Sequence, residues 1–403
     1  MAAAPRPLPL RCDTSDPSPH CHRPVVNHRG IHLRYTFEAH GQQGAEVENP
    51  LFDLLSAVRE QGSIGRAAAA LGMSYRHVWG ALKHWEAVLE APLVHWAKGR
   101  HARLTPFAQR LLWAERQARA RLTPHVEALR SELNRDFALA DDPALQVVEV
   151  SASHDLGLPR LQALAEAGQG LHLSLRFAGS EEALRSLLDG RCLVAGFHVP
   201  RLDVPSPVFA QALRPLLRPG THKLIGSHWR RQGLMSRPGT PAPAGIEDLS
   251  GGDWRFVNRQ PGSGTRLLMD HLLQQAGLAA QDIPGFHDRT EHTHLAVAAA
   301  VASGAADVGL GIEAAAREFG LDFRPLVDED YYLVCLKEAL EAPAVQGLRA
   351  TLASPAWAQA LQALPGYGVQ RPGEVLSLTR ALPWWSYRRP RAGATEGASP
   401  PRP

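Results

Sequence analysis

Four cysteines in 403 residues are too few for a disulfide framework, and Cys12, Cys21, Cys192 and Cys335 recur at no fixed spacing. That excludes a small cross-linked secreted scaffold and fits reduced thiols. Long apolar runs are missing too. None approaches the roughly 20 residues that a spanning helix needs, and the N-terminal MAAAPRPLPLRCDTSDPSPH has no uninterrupted apolar core of a signal segment. The expectation is a cytoplasmic protein with no membrane partner. Charge of one sign is also scarce: the formal net charge is +3, so a basic function must be sought in a local patch. No P-loop, no nucleophile and base constellation and no closed zinc motif is found. Cys12, His20, Cys21, His22 and His28 lie close together, but prolines interleave them and their spacing matches no metal site. Residues 1–30 therefore read as a disordered leader, residues 387–403 as a Pro/Arg/Gly-rich tail, and no metal is expected.

The densest signal is GSIGRAAAALGMSYRHVWGALKHWEAVLEAPLV, Gly62 to Val94. Ile64, Ala67, Ala68 and Leu71 fall at helical spacing, Gly72-Met73 interrupts, and Ser74 stands as the N-cap of a second helix from Tyr75 to Leu89. Val78, Ala81, Leu82, Trp85 and Leu89 make its buried stripe, leaving Tyr75, Arg76, His77, Lys83 and His84 outside. Early residues of such a helix reach base edges in a major groove, where arginine bonds guanine with two N–H groups. An amphipathic helix pair of no special function would look similar. The stretch just past this helix separates the two readings: Leu93 to Trp96 and Ala102 to Thr105 read as strands around a basic turn, a wing. From Arg76 to Arg103 there are five Lys or Arg against Glu86 and Glu90. Ser74, Tyr75, Arg76, His77, Lys83, Lys98, Arg100 and Arg103 are the expected contacts to double-stranded DNA, the wing residues through phosphate.

Ile31 to Glu38 alternates like a strand and Pro50 to Glu60 like a helix, giving a winged helix-turn-helix over residues 31–105. Residues 106–143 read as a long linker helix. Its stripe of Phe107, Leu111, Ala114, Ala118, Leu122, Val126, Leu129, Leu133 and Phe137 predicts a homodimer, with Thr123-Pro124 allowing a break. From 144 to 386 strands alternate with helices, which predicts a two-lobed α/β domain with a largely parallel sheet. Ligands in such domains sit beyond the carboxyl ends of strands, at helix N-termini. Ser151 to Asp155, Gly179-Ser180, Asn258 to Arg266 and Thr290 to His294 occupy such places. The candidate ligand residues are Ser151, Ser153, His154, Ser180, His198, Ser263, Gly264, Thr265, Arg266, His292 and Thr293.

Residues 49–139, through GSIGRAAAALGMSYRHVWGALKHWE and LTPFAQRLL, resemble the winged helix-turn-helix of LysR-type regulators, and more specifically the molybdate-responsive ModE type. Residues 145–370, through FVNRQPGSGTR, EHTHLAVAAAVASGAADVGLGI and GLDFRPL, resemble the type 2 periplasmic-binding-protein-like domain found in regulators and beside molybdopterin biosynthesis proteins. The resemblance implies a one-component transcription regulator whose lobes close on a small molecule or oxyanion and reposition a dimer on DNA. It implies molybdate, tungstate or a molybdopterin-type effector, held by Ser153, Ser180, Ser263 and Thr265. Asp155 and Glu291 would repel a dianion unless turned away or paired with Arg266 or His292, so an organic ligand stays open. The chain lacks the ModE type's separate C-terminal oxyanion module and the Gly-rich run of its wing. The alternatives are a molybdenum-cofactor biosynthesis protein or a small-molecule binding protein without DNA-directed regulation; both leave residues 1–144 unexplained, and no enzyme activity is expected.

Overall fold

The computed structural model describes residues 50–95, 102–141, 144–168, 170–250 and 252–385. The expected strand at 31–38, the leader, the tail, and Lys98 and Arg100 of the wing lie outside the described residues.

Helices α1 (Pro50–Gln61), α2 (Ile64–Ala70) and α3 (Tyr75–Leu89) form the helix-turn-helix. Gly72, at φ +64°, makes the turn that ends α2, and Ser74 Oγ accepts from His77 N at 3.2 Å to start α3. Leu54, Leu55, Val58, Ala67, Val78 and Leu82 meet in one core, joined by Val94 and Leu104 of the antiparallel pair β1 (Val94–His95) and β2 (Arg103–Leu104). Glu86 pins the wing's root, its Oε1 accepting from Leu93 N at 2.8 Å and Val94 N at 3.3 Å.

Helix α4 (Pro106–Asp141) runs unbroken through Pro124 for 36 residues. Its inward positions are Ala108, Leu112, Ala120 and Ser131, which pack on the chain's own domains. Of the stripe expected to pair with a twin, Phe107 and Leu111 pack against the helix-turn-helix core, Leu122 and Val126 are half-buried, and Leu129 and Leu133 are 40% and 37% exposed.

The C-terminal domain begins with β3 (Gln146–Ser153), α5 (Leu158–Ala167), β4 (Leu171–Ala178), α6 (Ser180–Leu188) and β5 (Val194–Pro200), the first lobe. Helix α7 (Pro207–Leu213) leads to β6 (His222–Ser236). Strand β7 (Phe256–Arg259), α8 (Gly264–Ala276), β8 (Thr290–Glu291), α9 (His294–Ala302), β9 (Val308–Ile312) and α10 (Glu313–Glu318) build the second lobe. Strand β10 (Asp322–Leu336) returns, followed by α11 (Pro343–Ala353), α12 (Pro355–Gln362), β11 (Tyr367–Val369), β12 (Val375–Ser377) and α13 (Leu378–Ala381).

Among the described residues the main path of the sheet is β4-β3-β5-β10-β6-β9-β7-β8, with β11 and β12 beside β6. The expected alternation is present, but the sheet is mixed rather than largely parallel. Strands β6 and β10, 15 residues each, pair antiparallel with each other and cross both lobes. The half of β10 near Tyr331 pairs with β5, and the half of β6 near Leu234 pairs with β9. Apolar cores fill both faces of the sheet, one under α5, α9, α11 and α12, the other under α6, α7 and α8. Among the described residues no helix is long and apolar enough to cross a membrane.

Candidate functional site

The loops and helix starts singled out by sequence converge where β6 and β10 pass between the lobes. There Arg230 of β6 donates from Nε to Glu329 Oε1 of β10 at 2.5 Å and from Nη1 to Asp155 Oδ2 at 2.9 Å. Asp155 also accepts from Tyr367 OH at 3.0 Å and Gly157 N at 2.7 Å, and its Oδ1 lies 3.1 Å from His228 Nε2. Burial pushes the Asp155 carboxyl up, but His228, His198 and Arg230 outweigh it and hold it well below the usual carboxylate range. Gln232 Nε2 donates to both Glu329 Oε1 and Thr265 Oγ1 at 2.9 Å, tying the crossing strand to the start of α8.

Ser153 Oγ lies 2.8 Å from His198 Nδ1, and His198 Nε2 lies 3.6 Å from Asp155 Oδ2. The row has the composition of a nucleophile relay, yet burial lowers the His198 pKa to about 4, too weak a base for that work near neutrality. Burial likewise lowers His154 to about 3.

The N-termini of α6 and α8 face each other from opposite lobes. Glu181 N donates to Gly262 O at 3.4 Å across the gap. A Cβ on Gly179 would sit 2.9 Å from Gly262 O, and one on Gly264 would sit 3.2 Å from Ser180 Oγ. The lobes therefore meet here, most tightly at Gly179, where a Cβ would press on backbone. Ser180 Oγ, Gln232 Oε1, His294 Nδ1 and Glu329 Oε2 are buried here without a hydrogen-bond partner. Orphaned polar atoms are uncommon in folded proteins, and several around one cleft mark a place built for a polar guest.

Arg259, the last residue of β7, is buried in the same cleft. Its guanidinium donates to the neutral oxygens of Gln260 at 3.0 Å and His292 at 2.9 Å. Burial, with the like charge of Arg230, lowers its pKa to about 9. A buried cation without a directly bonded carboxylate, beside helix N-termini, has the chemistry to take an anion.

Of the expected ligand residues, Ser153, His154, Ser180, His198, Gly264 and Thr265 surround the cleft. Ser263 borders it as the cap of α8, accepting from Arg266 N at 3.2 Å. Ser151 is buried two residues earlier on β3, where its backbone meets the Cys192 thiol. Three expectations need correction. Arg266 turns outward, bonded to Asp270 at 2.9 Å and stacked over Phe286, because its helical position falls on the face opposite Thr265 and Leu268. His292 is exposed and enters the cleft through its carbonyl alone. Thr293 caps α9 and donates to Ala120 O of the linker helix at 3.2 Å. The two disturbing acids are paired, but with Arg230 and Arg121 instead of Arg266 and His292. Sequence reasoning did not find Arg230, Gln232, Glu329, Tyr331 or Tyr367, which sit on strands that no motif marked.

On the helix-turn-helix, Ser74, Tyr75, Arg76, His77 and Arg103 are all exposed, Tyr75 at 57%. Lys83 is engaged, its Nζ bonding Glu86 at 2.8 Å. That bond shares the carboxylate holding the wing root, and the Lys83 side chain stays 41% exposed.

Residues 51–109 match the bacterial regulatory helix-turn-helix protein, lysR family, and residues 161–353 match the PBP superfamily domain. An uncharacterized protein of Bacillus subtilis, YvgK, is 32% identical over 203 residues, 50% of this chain and 64% of that protein. The chain thus spans less than two thirds of that relative. An uncharacterized protein from the 5′ region of a 2Fe-2S ferredoxin gene in Clostridium pasteurianum is 32% identical over 112 residues, 28% of this chain and 98% of that protein. The transcriptional regulator GbpR of Rhizobium radiobacter is 27% identical over 230 residues, 56% of this chain and 70% of that protein. Among solved structures, OxyR of Corynebacterium glutamicum aligns with a TM-score of 0.40 at 17% identity, over 78% of this chain and 92% of that one.

Proposed function

We propose that this chain, which matches the lysR-family regulatory helix-turn-helix over residues 51–109 and the PBP superfamily domain over residues 161–353, is a cytoplasmic transcription regulator that binds double-stranded DNA and answers to a small anion. The observation that carries the ligand class is Arg259, a buried guanidinium bonded only to neutral oxygens of the loops that lead into α8 and α9. Molybdate and tungstate suit such a site because a tetrahedral dianion takes hydroxyl and backbone N–H donors from several directions. A molybdopterin-type effector would present the same chemistry through its phosphate. The exposed Leu129 and Leu133 of α4 support a homodimer, which would set two Tyr75–His77 faces on a two-fold related site. A binding protein or biosynthetic enzyme without DNA output would leave that basic, exposed face without a task.

Calorimetry of the full chain with molybdate, tungstate and sulfate tests the ligand, and a mobility shift on its own upstream DNA tests the output. Saturable binding of one oxyanion together with a specific complex is the expected result. Absence of any specific complex would sink the regulator reading, and absence of all anion binding the ligand reading.

A further inference from the structure

Pro124 stands in the middle of α4, and the helix does not break there. Proline has no backbone N–H, so the carbonyl four residues earlier, that of Ala120, loses its donor within the helix. Thr293 Oγ1, at the start of α9, donates to that carbonyl at 3.2 Å while accepting from Ala296 N at 2.9 Å. The next residue of α4, Arg121, grips the same loop in a two-pronged ion pair with Glu291, Nε to Oε2 at 2.9 Å and Nη2 to Oε1. Glu291 is buried. The two helices come this close because Ala120 meets Ala296 and Ala299, where side chains have little bulk. Between the two gripping residues, His292 gives its carbonyl to Arg259 at 2.9 Å. Residues 291–293 are thus tethered to the linker helix on one side and to the cleft's guanidinium on the other.

We propose that Arg121, the Ala120 carbonyl freed by Pro124, and Glu291 with Thr293 form a clamp that passes the state of the cleft to the linker helix. The idea rests on reading the cleft as an anion site. An anion that draws the Arg259 guanidinium off the His292 carbonyl removes the inner tether of the loop. Because Thr293 also begins α9, the loop's movement carries the start of α9, and α4 is bonded to both. A cavity of about 170 Å³ lies beside the clamp between α1, α4 and α9, bordered by Phe52, Ser56, Thr123, Leu295 and Phe319. It leaves α4 room to shift, and α1 of the DNA-reading domain forms its far wall. The proline is then a docking device in an otherwise regular helix.

The test uses the full chain, its upstream DNA and molybdate as the probe. Arg121→Gln and Glu291→Gln break the ion pair, Pro124→Ala returns an N–H to the Ala120 carbonyl, and the swap Arg121→Glu with Glu291→Arg rebuilds the pair in reverse. Hydrogen exchange of residues 119–124 is expected to rise in both single Gln variants and return in the swap. The ratio of DNA affinities with and without molybdate is expected to fall about fivefold or more in the Gln variants and in Pro124→Ala, and to recover in the swap. Unchanged exchange in the Gln variants overturns the clamp, as does, in a parent that responds to molybdate, changed exchange with an unchanged ratio. If the parent's DNA binding ignores molybdate, tungstate and sulfate, the anion reading fails, and exchange alone decides: protection lost in the single variants and regained in the swap keeps the clamp, and no difference overturns it.

Discussion

Glu329 lies directly opposite Arg230 in the register of β10 and β6, so the ion pair flooring the cleft is carried by the two strands that both lobes share. Arg259, in the same cleft, is the reverse case, a buried cation with no such partner.

The two arginines should therefore respond oppositely to the same substitution. Arg230→Met strands Asp155 and Glu329 as buried carboxylates and is expected to cost about 3–5 kcal/mol of stability. Arg259→Met removes an unpaired buried charge and should leave stability unchanged or raised, while weakening molybdate binding at least about tenfold, the loss of one charged hydrogen bond. Urea unfolding and calorimetry on the two variants check this; a destabilised Arg259→Met with parental anion affinity would make Arg259 a structural residue.

Gly179→Val places carbon 2.9 Å or closer to the backbone oxygen of Gly262, and backbone yields less readily than a side-chain tip. The first lobe's α6 cannot then meet α8. Small-angle scattering should report a larger radius of gyration than the parent, and anion affinity should fall with circular dichroism unchanged. A parental radius would mean that the lobes accommodate the group in the closed state.

Glu127 of α4 lines a cavity of about 120 Å³ with Arg130, Ser131, Gln162 and Glu166, and burial, partly offset by Arg130, raises its pKa from 4.5 to about 7. The folded chain holds this proton more tightly than the unfolded one. The stability it contributes is complete below pH 4.5 and lost as pH rises to about 7. Glu127→Gln should thus gain on the parent by about 3 kcal/mol across that window. His154 and His198, buried neutral, act in the opposite sense below pH 6.5, equally in both proteins, and cancel in the difference. A flat difference between pH 5 and 8, measured by urea unfolding, would contradict the assignment.

Arg76→Ala should weaken specific DNA binding by about tenfold or more, the worth of a bidentate base contact, with anion affinity unaltered. Equal shifts for specific and random DNA would move Arg76 from base reading to phosphate contact.

Local signals in the sequence reached far. The Ser74 cap, the Gly72 turn and the helix at Ser180 to Leu188 stand as the pattern predicts, because caps, turns and stripes depend on neighbours within four residues. The cleft was legible in its hydroxyls and helix starts and not in its charges. Arg230 and Glu329 are 99 residues apart and carry no motif; strand pairing alone makes them neighbours. Arg266 drew attention by standing in GSGTR, yet the third residue of that helix faces away, and the strand-end Arg259 faces in. Pro124 looked like a point of weakness, since the donor that satisfies Ala120 comes from 173 residues further along.

The crossing of β6 and β10 also orders the birth of the protein. Strand β5 pairs with a strand more than a hundred residues later, Val199 with Asp330, and such distant pairing is slow to form. The helix-turn-helix, by contrast, closes its core between Leu51 and Leu112. On the ribosome the reader of DNA is thus complete long before residue 336 emerges to join the two lobes. A chain stopped upstream of β10 would carry a closed helix-turn-helix core and a sheet without the strand that joins its two lobes.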